Sequence, residues 1–427
     1  MTYLPRHLSS GCGCDDLSVA AGVISIDQAL QQVLQHVTPV ARTENAPIHT
    51  CRGRVLAAAV LAHADMPRFD HSAMDGYAVN SKALAGDGPW LLPVNGRVAA
   101  GDAADTPYAA TDACRIFTGA PVPHPFDSVI MQEKVERLGN MIRINTRPNI
   151  GENIRLRGEE HQRGAEILPV GMKLIPRAIA AAAAAGHGVV NVRCRIRVTL
   201  LASGSEVAAS GTKNLTGGQI WDVNTPMLQS LLSRPDVDLK NVIKVDDNKD
   251  SIRCALQSAA ATSDLIITTG GVSVGDEDHL RTAVTAARGE IFFAGVAIKP
   301  GKPVALGKIG DAVWLGLPGN PGSAFVTWSV IGQTVLNTLA GNAQVHPERR
   351  HVVLGHSLSR KAGRCEVRAA RIVGVDGYGR DIVECPSNVN SGQVSLLATS
   401  DGLSFLPSET DHFPEGALVE FLPFSSN

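Results

Sequence analysis

The sequence predicts a multidomain α/β plus β protein, and two observations carry that expectation. Across residues 178–343, apolar strands, glycine-rich loops and helical stretches alternate, the pattern of a parallel sheet with helices on both faces. In 63–145 and again in 346–427, short apolar runs are separated by Gly, Pro, Asp and Asn, the texture of β-rich modules. The length of 427 residues agrees, because about 100–200 residues per domain gives three domains or four small ones.

Residues 1–24 are rich in Gly, Ser and Cys and read as a flexible tail. Ser25 is placed to cap a helix that carries Ile26, Ala29, Leu30, Val33 and Leu34 on one side. A second helical stretch is expected over Gly53–Leu61. In the first β-rich module the strand candidates are Gly76–Val79, Trp90–Val94, Ile116–Phe117, Ser128–Met131 and Met141–Ile144. A charged link, Asn149–Gly164, follows. The alanine-rich stretch from Ala178 to Ala185 reads as a packed helix. After it, Arg197–Ala202 and Leu265–Thr268 are continuous apolar runs, as in strands buried on both faces. Asn241–Val245 and Ala312–Leu315 read as further strands, with helices over Met227–Leu232, Ser251–Ala261, His279–Ala287 and Ala324–Leu339. Beyond Gly341, strands are expected at His351–Gly355, Val367–Val373, Asp381–Cys385, Gly402–Leu406 and Leu418–Phe421.

Composition narrows the function classes. With 39 basic and 41 acidic residues the net charge is -2, so no strong field draws the chain to nucleic acid or to an anionic membrane. No run approaches the ~20 apolar residues of a membrane span, and the first residues lack the basic and apolar regions of a secretory signal. Of the eight cysteines only Cys12 and Cys14 lie close together. The scatter fits reduced thiols in the cytoplasm, and Cys12-Gly-Cys14 has no second ligand pair to make a metal site.

Three turn segments fall at strand ends, where open α/β sheets bind ligands, and all three are expected to face one crevice. Ser203-Gly-Ser-Glu206 follows the first strand, with small residues for close approach and one carboxylate. Thr269-Gly-Gly-Val-Ser-Val-Gly-Asp-Glu-Asp278 follows the second and opens a helix. Free N–H groups at a helix start, with Gly270, Gly271, Ser273 and Gly275 beside them, suit an anion. The acids that follow suit a divalent cation on that anion. The third segment pairs Lys299-Pro-Gly-Lys302-Pro with Leu317-Pro-Gly-Asn-Pro-Gly-Ser323. Two lysines framed by prolines suit a multiply charged oxyanion, and Ser323 is placed to cap the last helix or to meet the ligand. Outside this region, Phe69–Val79 holds two acids, a His and a Ser in a loop before a strand.

Together these segments resemble the molybdopterin molybdenumtransferase family, the MoeA proteins and the E domain of gephyrin. Seven motifs carry the likeness in order: FDHSAMDGYAV (69–79), RIFTGAPVP (115–123), NIRLRGEE (153–160), GQIWDVN (218–224), TGGVSVGDED (269–278), KPGKP (299–303) and GLPGNPGSA (316–324). The match runs from Ser25 to the C-terminus. It implies a three-layer α/β domain of the MoaB/MogA type at 178–343, a β-rich module at 63–145, an elongated linker domain combining 25–62 with 146–177, and a C-terminal β-barrel-like domain at 346–427.

The resemblance also implies a magnesium-assisted reaction in which adenylylated molybdopterin and molybdate react, AMP leaves and molybdenum is placed on the dithiolene. It implies a cytoplasmic homodimer supplied by a molybdopterin adenylyltransferase, with no nucleic-acid or membrane partner. Carried onto this sequence, the functional acids fall on Glu160, Glu206, Asp246 and Asp278, with Glu206, Asp246 and Asp278 holding magnesium. Asp75 and Thr118 match functional positions expected to serve the partner's cleft. Lys299, Lys302, Ser323 and Ser391 match anion-binding positions. The chain departs from the family pattern at Gly295, where some members have lysine, at Trp221, where tyrosine is common, and in a shifted arginine pattern over Arg364–Arg371. The same motifs would serve a paralogue that inserts tungstate. A non-catalytic scaffold of the same fold is the reading from another class, and the intact acids and lysines argue against it.

Overall fold

Ile196–Ser203, eight residues of which five are buried and none is exposed, is the strand around which the largest unit is built. In this computed structural model, which describes residues 23–270, 279–386 and 394–424, the strand lies second in a six-stranded sheet. The order is Val237–Val245, Ile196–Ser203, Leu265–Thr269, Ala312–Leu317, Ala305–Ile309, Glu290–Ala294. The first four run parallel, and the last two add an antiparallel edge. The four strands expected from the sequence are the four parallel ones, and the antiparallel pair was not expected. The two edge strands are short and follow each other through a return past Lys299, which reverses the chain direction.

Helices cover both faces and make three layers. Lys249–Ala260 and His279–Ala286 pack on one face around Ile252, Leu256, Leu280, Val284 and Trp314. The opposite face buries Leu200, Ile267 and Leu315 with residues of Asn224–Leu231 and of the helical run 321–339. That run is interrupted by a π turn at Trp328–Gly332. The helix Ile26–His36 joins this face through Ile26, Ala29 and Val33. Its start is fixed by a capping box: the Gln28 N–H donates to Ser25 Oγ at 3.1 Å, and the Ser25 N–H to Gln28 Oε1 at 2.9 Å.

The stretch expected as a helix over Gly53–Leu61 is extended instead. Gly53 has φ +81, Val55 and Leu56 bridge to Lys173 and Val192, and Val60–Leu61 pairs with Glu166–Leu168. Distant partners outweigh the local helical pattern here. Thr43–Pro47 pairs with Val189–Arg193. The helix Pro176–Ala184 buries Ala178 and Ala182 against Ala46, Leu56 and Leu168, not against the six-stranded sheet. Ile26–His36 thus packs with the six-stranded α/β sheet, and Pro176–Ala184 with the extended segments around Ala46 and Leu56.

Residues 76–144 form a second six-stranded sheet with a small apolar cluster on each face. Toward the C-terminus, Cys365–Val375, Asp381–Glu384, Arg350–Leu354, Leu418–Pro423 and Gly402–Leu406 pair in turn. The last pairs back to the first, closing a five-stranded barrel. Ile298–Lys299, from the α/β unit, adds to this barrel alongside Cys365–Glu366.

Candidate active site

The four parallel strands end on one cleft of about 1160 Å³. Ser203, Val245, Thr269 and Pro318, at or just past the four strand ends, all line it, the position at which open α/β sheets bind ligands. Close backbone approach shapes its floor. Gly270 has φ +92, and a Cβ there would lie 2.6 Å from the Ser203 carbonyl oxygen. Gly319 packs against the Gly270 Cα. Any side chain at Gly270 would collide with the neighbouring strand end.

Glu206 and Asp246 both line this cleft and both are exposed. Glu206 follows the turn out of Ile196–Ser203. Asp246 follows Val245 directly, two residues before Asn248, whose side chain caps Lys249–Ala260 by accepting from the Ser251 N–H at 2.9 Å. Strand end and helix cap thus fix where Asp246 emerges. Ser323, only 4% exposed, lines the wall formed by Pro318, Gly319 and Asn320 at the start of the last helical run. Gly271, Ser273, Gly275 and Asp278, with Ser391, lie outside the described residues, as do Cys12 and Cys14.

The expectation that all three turn segments face one crevice holds for Ser203–Glu206 and for Pro318–Ser323. It fails for the lysines. Of the 299–303 segment, Pro303 alone lines the cleft among the described residues. The Lys299 ammonium turns to Glu366 Oε2 of the barrel at 3.2 Å. The reason is electrostatic: the Glu366 side chain is 1% exposed, and a buried carboxylate must be paired. Gly301, between the lysines, has φ +108, and a Cβ there would stand 2.3 Å from Thr327 Cγ2. This glycine lets the loop pack onto the last helical run.

Asp75 and Thr118 meet each other in the 76–144 sheet module, away from this cleft. The Thr118 N–H and hydroxyl both donate to Asp75 Oδ1 at 2.8 Å. These two bonds, the backbone one first, hold the Asp75 carboxyl below its usual range. Beside them the Arg115 guanidinium lies over the rings of Phe117 and Tyr77 and donates to the Gly76 carbonyl oxygen at 3.1 Å. Glu160 is exposed on a separate loop, where its N–H donates to the Met66 carbonyl oxygen at 3.0 Å. The structure therefore brings Glu206, Asp246, Gly270 and Ser323 together, pairs Asp75 with Thr118, and leaves Glu160 apart.

The residue reading assigned no role to Asn224. Its buried amide donates to Thr269 Oγ1 and to the Gly319 carbonyl oxygen, both at 2.7 Å, tying two rims of the cleft. Asp222 accepts from the Thr225 N–H at 2.9 Å and starts the same helix. Both lie in the GQIWDVN segment (218–224), which was the available signal. Trp221, half-exposed, lines the cleft beside them.

Glu206 and Asp246 offer hard oxygen donors of the kind magnesium takes, one or two carboxylates with substrate phosphates completing the shell. Among the described residues no three acidic, His or Cys side chains converge as a metal cage. Two exposed carboxylates on this cleft suit a cation brought with a phosphate.

Comparison with known proteins follows the same outline. Residues 24–186 match the MoeA N-terminal region (domain I and II), and residues 199–338 match a probable molybdopterin binding domain. A molybdopterin molybdenumtransferase of Haemophilus influenzae is 31% identical over 94% of this chain and 99% of its own length. One from Nostoc sp. is 32% identical over 86% of this chain and 85% of its own. The crystal structure of a molybdopterin biosynthesis MoeA protein from Pyrococcus horikoshii OT3 superposes with a TM-score of 0.81 at 25% identity, covering 94% of this chain and all of that one.

Proposed function

The chain belongs to the molybdopterin molybdenumtransferase family and is a transferase of molybdenum cofactor biosynthesis, and from that premise we propose how its parts divide the work. The substrates are adenylylated molybdopterin and molybdate. Water cleaves the phosphoanhydride to give AMP and the molybdopterin phosphate, and the two dithiolene sulfurs replace oxo groups of molybdate, which leave as water.

The observation that carries this reading is the single cleft at the ends of four parallel strands, with Glu206 and Asp246 on its wall. These acids, with Asp278, would hold magnesium on the phosphoanhydride. The cation when bound offsets the charge that develops on the phosphate oxygens. Asn224 keeps the Thr269 and Gly319 rims at fixed spacing, so the phosphates meet a preformed wall. Molybdate is held at the edge of this cleft, by Lys299 and Lys302 on the loop whose Gly301 packs near the Ser323 carbonyl oxygen, together with Ser323 and Ser391. Glu160, Asp75 and Thr118 serve the cleft of the second subunit in a homodimer, since their positions lie away from the cleft of their own chain. An adenylyltransferase upstream supplies the substrate. No helix among the described residues is long and apolar enough to cross a membrane.

The test is incubation of the protein with adenylylated molybdopterin, molybdate and magnesium, following AMP by chromatography and the reconstitution of an apo molybdoenzyme. AMP release with active molybdoenzyme is expected. Absence of both overturns the reading.

A further inference from the structure

The barrel contributes to the lysine loop more than a surface to rest on. Ile298–Lys299 runs parallel to Cys365–Glu366, with Lys299 in register with Glu366. Glu366 divides its oxygens. Oε1 accepts from Arg368 Nε and Nη2, each at 2.8 Å. Oε2 faces Lys299 Nζ at 3.2 Å, with Arg360 Nη1 at 4.0 Å. The Arg360 and Arg368 side chains are 2% and 3% exposed, and that of Lys299 is 46% exposed. Arg360 and Arg368 are held elsewhere by backbone carbonyls, of Thr410 and Pro386 respectively. Neither arginine is free to move. The one cation of this cluster that reaches solvent is Lys299.

We infer that Glu366 is the positioning residue for Lys299, and through it a determinant of oxyanion affinity. The inference rests on the proposed role of Lys299 in holding molybdate. An isolated lysine on four rotatable carbons spreads its charge over a large volume and loses that freedom on binding. Strand pairing fixes the Lys299 backbone and Glu366 Oε2 fixes its ammonium, so that cost is met before the anion arrives. Three cations face this one carboxylate, and Arg368 alone already takes both bonds to Oε1. Lys299 is 46% exposed, so an oxyanion can reach it without displacing Glu366.

The experiment uses the full-length protein and measures molybdate affinity by calorimetry, alongside KM and kcat for AMP release. Lys299→Met is expected to weaken molybdate binding. Glu366→Gln, which keeps shape and removes charge, is expected to raise the KM for molybdate about tenfold with a smaller change in kcat. In the Lys299→Met background it is expected to add nothing. Additive losses, or tighter molybdate binding by Glu366→Gln, would overturn the inference while leaving the lysine's role intact. Unchanged affinity in Lys299→Met overturns the lysine's role and the inference together. If Glu366→Gln fails to fold, Glu366→Asp retracts the carboxylate by one methylene and Lys299→Arg reaches toward it. Recovery of affinity in the pair supports positioning, and no recovery overturns it.

Discussion

The cleft and the barrel seam handle charge in opposite ways. In the cleft, Glu206 and Asp246 are exposed carboxylates at strand ends, with no ion-pair partner among the described residues. At the seam, Glu366 is buried and meets Lys299, Arg360 and Arg368. An exposed acid costs the fold little and waits for a ligand. A buried one is part of the fold and is costly to unpair. The difference separates residues that can be changed for function alone from residues whose change is felt by both stability and function.

Three substitutions probe that separation. The largest effect is expected at the seam. Glu366→Ala leaves two buried guanidinium groups without their carboxylate and should lower unfolding free energy by about 3–5 kcal/mol, read from urea denaturation of the barrel signal. A loss under about 1 kcal/mol would erase the contrast. Next, Asp246→Asn should lower kcat for AMP release by about 10²–10³, with an unchanged melting temperature. A fall in melting temperature that accounts for the lost activity would place Asp246 with the structural acids. The smallest effect concerns Asp75, an exposed acid that is nevertheless hydrogen-bonded. Because its folded carboxyl titrates below the usual range, its bonds contribute above the unfolded value and are lost as pH falls through the folded one. Thr118→Val removes the hydroxyl donor, so the Asp75 titration followed by NMR should move up toward the ordinary carboxylate range. An unmoved titration would mean that the Thr118 N–H alone sets it.

The α/β unit was largely legible from the sequence because its signals are local. Val198–Leu201 and Leu265–Thr268 are apolar but for one threonine each, and the structure buries both in adjacent strands of the sheet. The turn that follows Ile196–Ser203 by chain connectivity put Glu206 at a strand end, whereas Asp246 entered only through the family resemblance and proves to lie on the same cleft. Gly53–Leu61 misled because its apolar spacing is helical, while its partners, Lys173, Val192 and Glu166, lie more than a hundred residues on. The edge strands Glu290–Ala294 and Ala305–Ile309 were missed, since Gly295, Pro300 and Gly301 between them read as loop. The destination of Lys299 was illegible for a related reason. Its spacing beside Lys302 points to an anion, but only the fold brings Glu366, 67 positions later, within reach.

The parallel pairing of Ile298–Lys299 with Cys365–Glu366 also orders events during synthesis. Chains emerge from the N-terminus, and domains fold as units in that order. When Ala312–Leu317 leaves the ribosome the six-stranded sheet has all its strands, yet the segment that docks Lys299 has still to be translated. The nascent enzyme thus passes through an interval in which its acidic cleft is assembled and its lysine is unmoored, and completion of the barrel ends that interval.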